Sequence, residues 1–175
     1  METNLELHAR PHPDAQVRRL GFDLAHPYVE QCWGAVVGPS SVAILRRMPV
    51  LWTQQEPALL PADALAQTLG LGPGTGQHGR FNRALDRLAQ FRLAEWIEPG
   101  RSIAVYTEVA PLRDHRLARV PEWTRETHER LLDAHLDRLA AVKDYSAQVA
   151  EVTARLDRFE RPTSQALPPS KALGR

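Results

Sequence analysis

The feature of this sequence that most constrains its fold is a change of hydrophobic period near residue 92. Before that point, residues 80–91 place apolar side chains on one face of a helix, namely Phe81, Ala84, Leu85, Leu88 and Phe91. After it, apolar and polar residues alternate, which predicts strands at 93–97 and 102–109. The residues between them, Glu-Pro-Gly-Arg at 98–101, are typical of a type II turn. The sequence therefore predicts a helix that leads directly into a β-hairpin.

Three further helices are predicted upstream of this unit. Apolar residues recur at helical spacing in 27–37, 40–54 and 61–69, and a proline or serine suited to a helix start stands at the beginning of each segment. Pro49 lies inside the second helix and is expected to end or kink it. A glycine-rich loop at 70–79 separates the third helix from the helix at 80–92.

The longest helical pattern covers residues 122–160. Its apolar positions are Leu132, Leu136, Leu139, Val142, Val149, Val152, Leu156 and Phe159. Ser146 and Thr153 interrupt this apolar seam, so the pattern permits a coiled coil, although an imperfect one. We expect this C-terminal helix to serve in dimerisation or in docking a partner.

The two ends of the chain lack a folding pattern. Residues 1–20 are polar and show no period, and we interpret them as a disordered arm. Residues 162–175 contain three prolines and are interpreted as a disordered tail. This leaves one domain at 21–111, followed by a connector and the long helix at 112–161.

Composition excludes several classes of protein. The single cysteine, Cys32, excludes an internal disulfide framework and any multi-cysteine metal site. No apolar run approaches the roughly 18 residues of a membrane helix. The first residues contain no apolar signal-peptide core, so we expect a cytoplasmic protein. The formal net charge of +1 gives no global indication of nucleic-acid binding.

The basic residues are 20 arginines and 2 lysines. Such a bias is typical of GC-rich genomes, for example those of actinobacteria, so only the placement of the arginines carries an argument. Segment 80–92 contains four arginines and one aspartate, a local charge of +3. On a helical wheel, Arg80, Arg83, Arg87 and Gln90 fall within about 80° of one another, beside the apolar face.

The order of these elements resembles a known fold. LAQTLGL, then GRFNRALDRLAQFRLAEWI, then the turn EPGR and the strand SIAVYTEV resemble the winged helix-turn-helix superfamily of DNA-binding regulators. The resemblance covers about 70 of the 175 residues. It implies a mainly α fold with a small β-hairpin (α+β), here with an extra N-terminal helix and a long C-terminal helix. The glycine-rich loop at 70–79 is longer than the usual turn of such proteins.

This resemblance implies a cytoplasmic, nucleoid-associated transcriptional regulator that binds double-stranded DNA as a homodimer. The helix at 80–92 would lie in the major groove, and the hairpin at 93–109 would be the wing. The candidate DNA-binding residues are Gln77, His78, Arg80, Asn82, Arg83, Arg87, Gln90 and Arg101. Arginine suits guanine and asparagine suits adenine. Arg113, Arg116 and Arg119 in the connector could extend the phosphate contacts.

The sequence also suggests three alternatives to duplex DNA binding. A winged helix also serves as a protein-interaction adaptor, for instance in a replication, segregation or mobile-element complex. The glycines at 74–79 match a dinucleotide fingerprint, but a helical pattern precedes them where a strand is needed. His8 with His12, and His128 with His135, lack a third convergent metal ligand. We therefore expect no enzyme, no catalytic residues, no cofactor and no metal.

Overall fold

The computed structural model describes residues 4–72 and 79–160, with side chains up to residue 155. The chain divides into two compact units, residues 1–136 and 137–175. The first unit is a mixed α/β fold in which a small sheet is joined by several helices. This agrees with the predicted α+β class.

The main sheet has four strands in the order β3-β1-β5-β4. These strands are β1 (Asn4–Arg10), β3 (Ala58–Pro61), β4 (Ala94–Glu98) and β5 (Ser102–Tyr106). β1 pairs antiparallel with β3 and parallel with β5, and β5 pairs antiparallel with β4. A separate ladder joins β2 (Phe22–Asp23) antiparallel to β6 (Glu108–Val109).

The N-terminal residues correct one prediction. Residues 1–20 were expected to form a disordered arm, but residues 4–10 are an inner strand and Ala15–Leu20 form helix α1. Leu5 and Leu7 are buried, and Leu7 lies opposite Ile103 of β5. The prediction was wrong because only two leucines mark the alternation of apolar and polar residues in this short segment. The strands with which β1 pairs, β3 and β5, are also far from it in the sequence.

Helices pack on the face of the sheet that carries Leu7 and Ile103. A π-helical turn (Val29–Trp33) runs into α2 (Gly34–Val37), followed by α3 (Pro39–Gln54), α4 (Ala62–Thr68) and α5 (Arg80–Gln90). These segments match the predicted helices to within two residues at each end. α3 continues through Pro49 to Gln54, so the proline does not end the helix.

The turn of the hairpin has the predicted form. Gly100 has a φ of 76°, which the third position of a type II turn requires and which glycine adopts without strain. The Arg101 N–H donates to the Glu98 carbonyl at 3.0 Å. β4 has the predicted length but begins one residue later, at Ala94. β5 ends at Tyr106 and is shorter than the predicted 102–109, because residue 107 leaves the ladder before β6 begins.

The boundary after residue 111 also differs from the prediction. Leu112 and Val120 are buried, and the short helix α6 (Asp114–Leu117) lies between them. α7 (Glu122–Glu160) begins within the first unit, where Thr124, Thr127 and His128 are buried. The connector and the start of the long helix therefore belong to the first unit, which ends at residue 136.

The second unit, as far as it is described, is the helical stretch 137–160. Four of its apolar side chains are exposed, namely Val142, Tyr145, Val149 and Val152. The predicted disordered tail at 162–175 lies outside the described residues. No helix in the described part of the chain is both long and apolar enough to span a membrane.

Candidate nucleic-acid interface

Helix α5 has an apolar face on one side and a basic face on the other. Its apolar face is buried in the core and consists of Phe81, Ala84, Leu85 and Leu88. Ser41 of α3 donates to the Ala84 carbonyl at 3.2 Å and joins the two helices. The other side of α5 presents exposed polar residues, namely Arg80, Arg83, Arg87 and Gln90. Because the core fixes the helix, the direction of this basic face is also fixed.

Of the predicted site residues, Arg87 has the clearest intramolecular role. Its guanidinium donates to the Val36 carbonyl at 3.0 Å and lies 5.7 Å from the centroid of the Phe91 ring. These contacts connect α5 to α2 and hold the side chain in one orientation. A guanidinium has five N–H donors, so the bond to Val36 leaves donors for a ligand.

The remaining helix residues differ in accessibility. Arg80, Arg83 and Gln90 are exposed, whereas Asn82 is half-buried. An asparagine in this position has less reach towards a base edge than the arginines do. Gln77 and His78, predicted to lie just before the helix, are outside the described residues.

The hairpin is attached to α5 by a polar contact. The indole N–H of Trp96 on β4 donates to an Asp86 carboxylate oxygen of α5 at 3.0 Å. At the tip, Arg101 is exposed and forms an ion pair with Glu98 at 3.0 Å. An exposed pair of this kind contributes little to stability, so Arg101 remains available for a stronger anion.

A second basic surface lies elsewhere on the first unit. Arg92, Arg113 and Arg116 line a groove of about 1010 Å³ together with Trp96 and Tyr106. The sequence marks 112–121 as a basic connector, but it does not show that this connector lies opposite β4. Only the tertiary structure brings these residues together.

A buried cluster of aromatic rings and histidines joins α7 to the body of the first unit. Phe22 and Tyr28 stack with ring centroids 3.9 Å apart, and Tyr28 is hydrogen-bonded to His128. The His135 Nε2 lies 3.0 Å from the Gly21 carbonyl oxygen. Burial raises the pKa of Tyr28 and lowers that of His128. His128 and His135, which are seven residues apart in the sequence, therefore both connect α7 to the rest of the first unit.

Other candidate reactive groups are embedded in the core. Cys32 is buried, and this burial raises the pKa of its thiol to about 11. A thiol with such a pKa is protonated at neutral pH and is a poor nucleophile. Within 4–72 and 79–160, no three histidine, cysteine or acidic side chains are grouped as metal ligands.

Comparisons with known proteins add no family to this description. The chain matches no family model, no curated protein and no solved structure.

Proposed function

We propose that this chain is a winged-helix protein that binds double-stranded DNA and acts as a transcriptional regulator. The observation that carries the proposal is the exposed basic face of α5, with Arg80 and Arg83 directed away from a fully buried apolar face. In this proposal α5 enters the major groove and the β4–β5 hairpin contacts the adjacent backbone.

The order of the elements supports this assignment. α3, β3, α4, α5 and the β4–β5 hairpin follow one another as helix, strand, helix, helix and hairpin. A helix-turn-helix needs two consecutive helices, here α4 and α5, and the second helix must expose the side that contacts DNA. In the sheet, β1 lies between β3 and β5. The arginines of the basic face of α5 are exposed in this arrangement.

The distribution of charge supports a small interface. The formal charge of the chain is +1, yet segment 80–92 has four arginines and one aspartate. Asp86, the acidic residue of α5, accepts a hydrogen bond from Trp96 at the base of the hairpin. Specificity would then come from a few arginines, each of which can bind a guanine with two hydrogen bonds.

We further propose that the chain is a homodimer formed through the second part of α7. Four side chains on this part of the helix are exposed. Their exposed fractions are 62% for Val142, 68% for Tyr145, 46% for Val149 and 56% for Val152. Their spacing alternates between three and four residues, which places them at the a and d positions of a coiled coil. A second copy offers the same apolar seam, so a two-fold axis would bury both at once.

Selection of binding sites from random duplex DNA tests the proposed function. We expect the full chain to enrich one sequence, or two half-sites related by a dyad. Arg83→Ala should weaken binding to that sequence by about 1–3 kcal/mol and relax the preference at one position. Arg19→Ala, which alters an exposed arginine of α1, is the matched control and should leave the selected sequence unchanged.

Two results would contradict the proposal. One is the absence of any enriched sequence at low salt. The other is an equal effect of Arg83→Ala and Arg19→Ala, which would mean that the basic face of α5 does not read bases. Recovery of a stoichiometric protein partner without nucleic acid would instead favour the adaptor hypothesis.

A further inference from the structure

The groove introduced above lies within the first unit and does not include the basic face of α5. It extends from the segment at Asp14, past the end of α5 and strand β4, to the connector at 110–116. Its volume of about 1010 Å³ is at the upper end of the range for small-molecule sites. The groove is therefore large enough for a ligand with a ring system and a charged group.

The groove contains more arginines than carboxylates. Among the described residues, no carboxylate lies within ion-pair distance of Arg92, Arg113 or Arg116. Only two carboxylates of the described part of the chain line the groove with these three arginines: Asp14, which keeps its charge while it accepts the Gln16 N–H at 2.7 Å, and Glu95, which is already paired with Arg10 at 2.8 Å. The arginines therefore give the groove a positive potential that its own carboxylates do not neutralise.

Arg116 is held in a fixed orientation by two aromatic rings. Its guanidinium lies 5.4 Å from the Trp33 ring centroid and 4.6 Å from the Phe91 ring centroid. The Trp33 indole N–H donates in turn to the Ala110 carbonyl at 2.9 Å. Stacking of this kind leaves the edge of the guanidinium, where its N–H donors lie, available for an anion.

The surroundings of Arg116 make a bound anion favourable. Burial lowers the pKa of Arg116, and the like charge of Arg113 acts in the same direction. Arginine nevertheless stays protonated at neutral pH, so the two charges repel each other. A phosphate between them would remove this repulsion and accept several charge-assisted hydrogen bonds.

Aromatic side chains form another part of the groove. Trp96 is half-buried, and its indole nitrogen is fixed by Asp86. Tyr106 packs against the His12 ring, with centroids 5.1 Å apart, on the opposite face of the β4–β5 ladder, because Trp96 pairs with Ile103 and side chains alternate along β5. Rings that are already ordered lose little entropy when a planar ligand stacks on them, and stacking on aromatic side chains is a common mode of base recognition.

We propose that this groove binds a nucleotide, with its phosphate at Arg113 and Arg116 and its base against Trp96. The nucleotide is either a free small molecule or an unpaired residue of a single strand, since both present the same phosphate and base. This site is next to the duplex interface proposed for α5, since Arg87 and Arg116 both lie over the Phe91 ring. It uses different arginines, because the groove is lined by Arg92, Arg113 and Arg116 and by none of the arginines of the α5 basic face.

Equilibrium titration of the full chain tests this proposal. The probes are adenosine monophosphate, a short oligothymidine strand, a duplex and inorganic phosphate, each at the same ionic strength. The variants are Arg113→Gln and Arg116→Gln, and the matched control is Arg119→Gln, an exposed arginine of the same connector that does not line the groove. Arg113 is exposed, so its variant should fold even if Arg116→Gln does not.

We expect Arg113→Gln and Arg116→Gln each to weaken nucleotide binding roughly tenfold, and Arg119→Gln to change it less than about twofold. Binding of both the mononucleotide and the strand assigns a free nucleotide as the ligand, and binding of the strand alone assigns a single strand. The proposal is overturned if neither binds, if inorganic phosphate binds as tightly as the nucleotide, or if only the duplex responds to Arg113→Gln. Arg80→Ala and Arg83→Ala should weaken duplex binding without affecting the mononucleotide, which separates failure of this proposal from failure of the proposed function.

Discussion

The hydroxyl of Tyr28 is hydrogen-bonded to Nδ1 of His128, a residue 100 positions further along the chain. The same hydroxyl accepts the Leu112 N–H at 2.9 Å, so its own proton is free to be donated to the histidine. This assignment makes His128 neutral, with its proton on Nε2. One phenol thus connects the π-helical segment, the connector and α7.

Replacing Tyr28 by phenylalanine should destabilise the first unit by about 1–3 kcal/mol, because the Leu112 N–H and the His128 nitrogen would remain buried without a partner. The stack on Phe22 would be retained, so the loss reports the hydroxyl alone. Urea unfolding measures the change. Tyr145→Phe, which removes an exposed hydroxyl, should stay within about 0.5 kcal/mol of the unaltered chain. Equal effects of the two substitutions would refute the buried role of Tyr28.

The same histidine predicts a dependence of stability on pH. Burial lowers the pKa of His128 from 6.5, although Glu129, Asp114 and Asp133 act in the opposite direction. The unfolded chain therefore binds this proton more readily than the folded chain. The stabilising contribution is complete above about pH 6.5 and is lost as the pH falls through the folded-state pKa.

Thermal unfolding between pH 8 and pH 5 measures this contribution. We expect the melting temperature of the unaltered chain to fall more steeply with decreasing pH than that of a His128→Gln variant, because glutamine does not titrate. His12, whose pKa is also lowered by burial, is present in both proteins and cancels in the comparison. Parallel pH profiles would show that His128 does not titrate differently in the folded and unfolded states.

The inner position of β1 gives a prediction about the core. Leu7 is fully buried between β3 and β5, so Leu7→Ala should cost about 2–5 kcal/mol of unfolding free energy. Leu59→Ala removes the same number of atoms from a neighbouring strand, but Leu59 is 47% exposed and its loss should cost much less. Similar costs for the two variants would contradict an inner strand at 4–10.

The exposed seam of α7 predicts the oligomeric state. Light scattering should give a mass of twice 19.6 kDa for the full chain. Val149→Glu places a charge in the seam and should yield the monomer, whereas Ala147→Glu on the opposite side of the helix should not. A monomeric mass for the unaltered chain at micromolar concentration would exclude the proposed dimer.

Hydrophobic periodicity and turn residues predicted those helices and turns that depend only on neighbouring residues in the sequence. The helix at 80–90, the turn at Gly100 and the long helix at 122–160 follow from periodicity and turn chemistry, and the structure has them near the predicted bounds. The helical wheel that predicts the buried side of α5 also predicts its exposed arginine face. These features need no knowledge of distant contacts.

The features that were missed depend on contacts between distant segments. β1 is stabilised by pairing with residues about 95 positions away, and two buried leucines are too few to mark it as a strand. β3 is short and contains Pro61, which is unusual within a strand. The groove likewise requires 12–17 and 110–116 to meet beside β4, which no periodicity encodes.

The central claim is that the basic face of α5 binds duplex DNA, and a direct titration tests it. Labelled duplexes of random sequence are titrated with the full chain, and with an Arg80→Ala/Arg83→Ala double variant, at several salt concentrations. We predict measurable binding at low salt that weakens as salt rises, and a shallower salt dependence for the variant, because two arginine–phosphate or arginine–base contacts are removed. Undetectable binding at low salt, or identical salt dependence for the two proteins, would contradict the account.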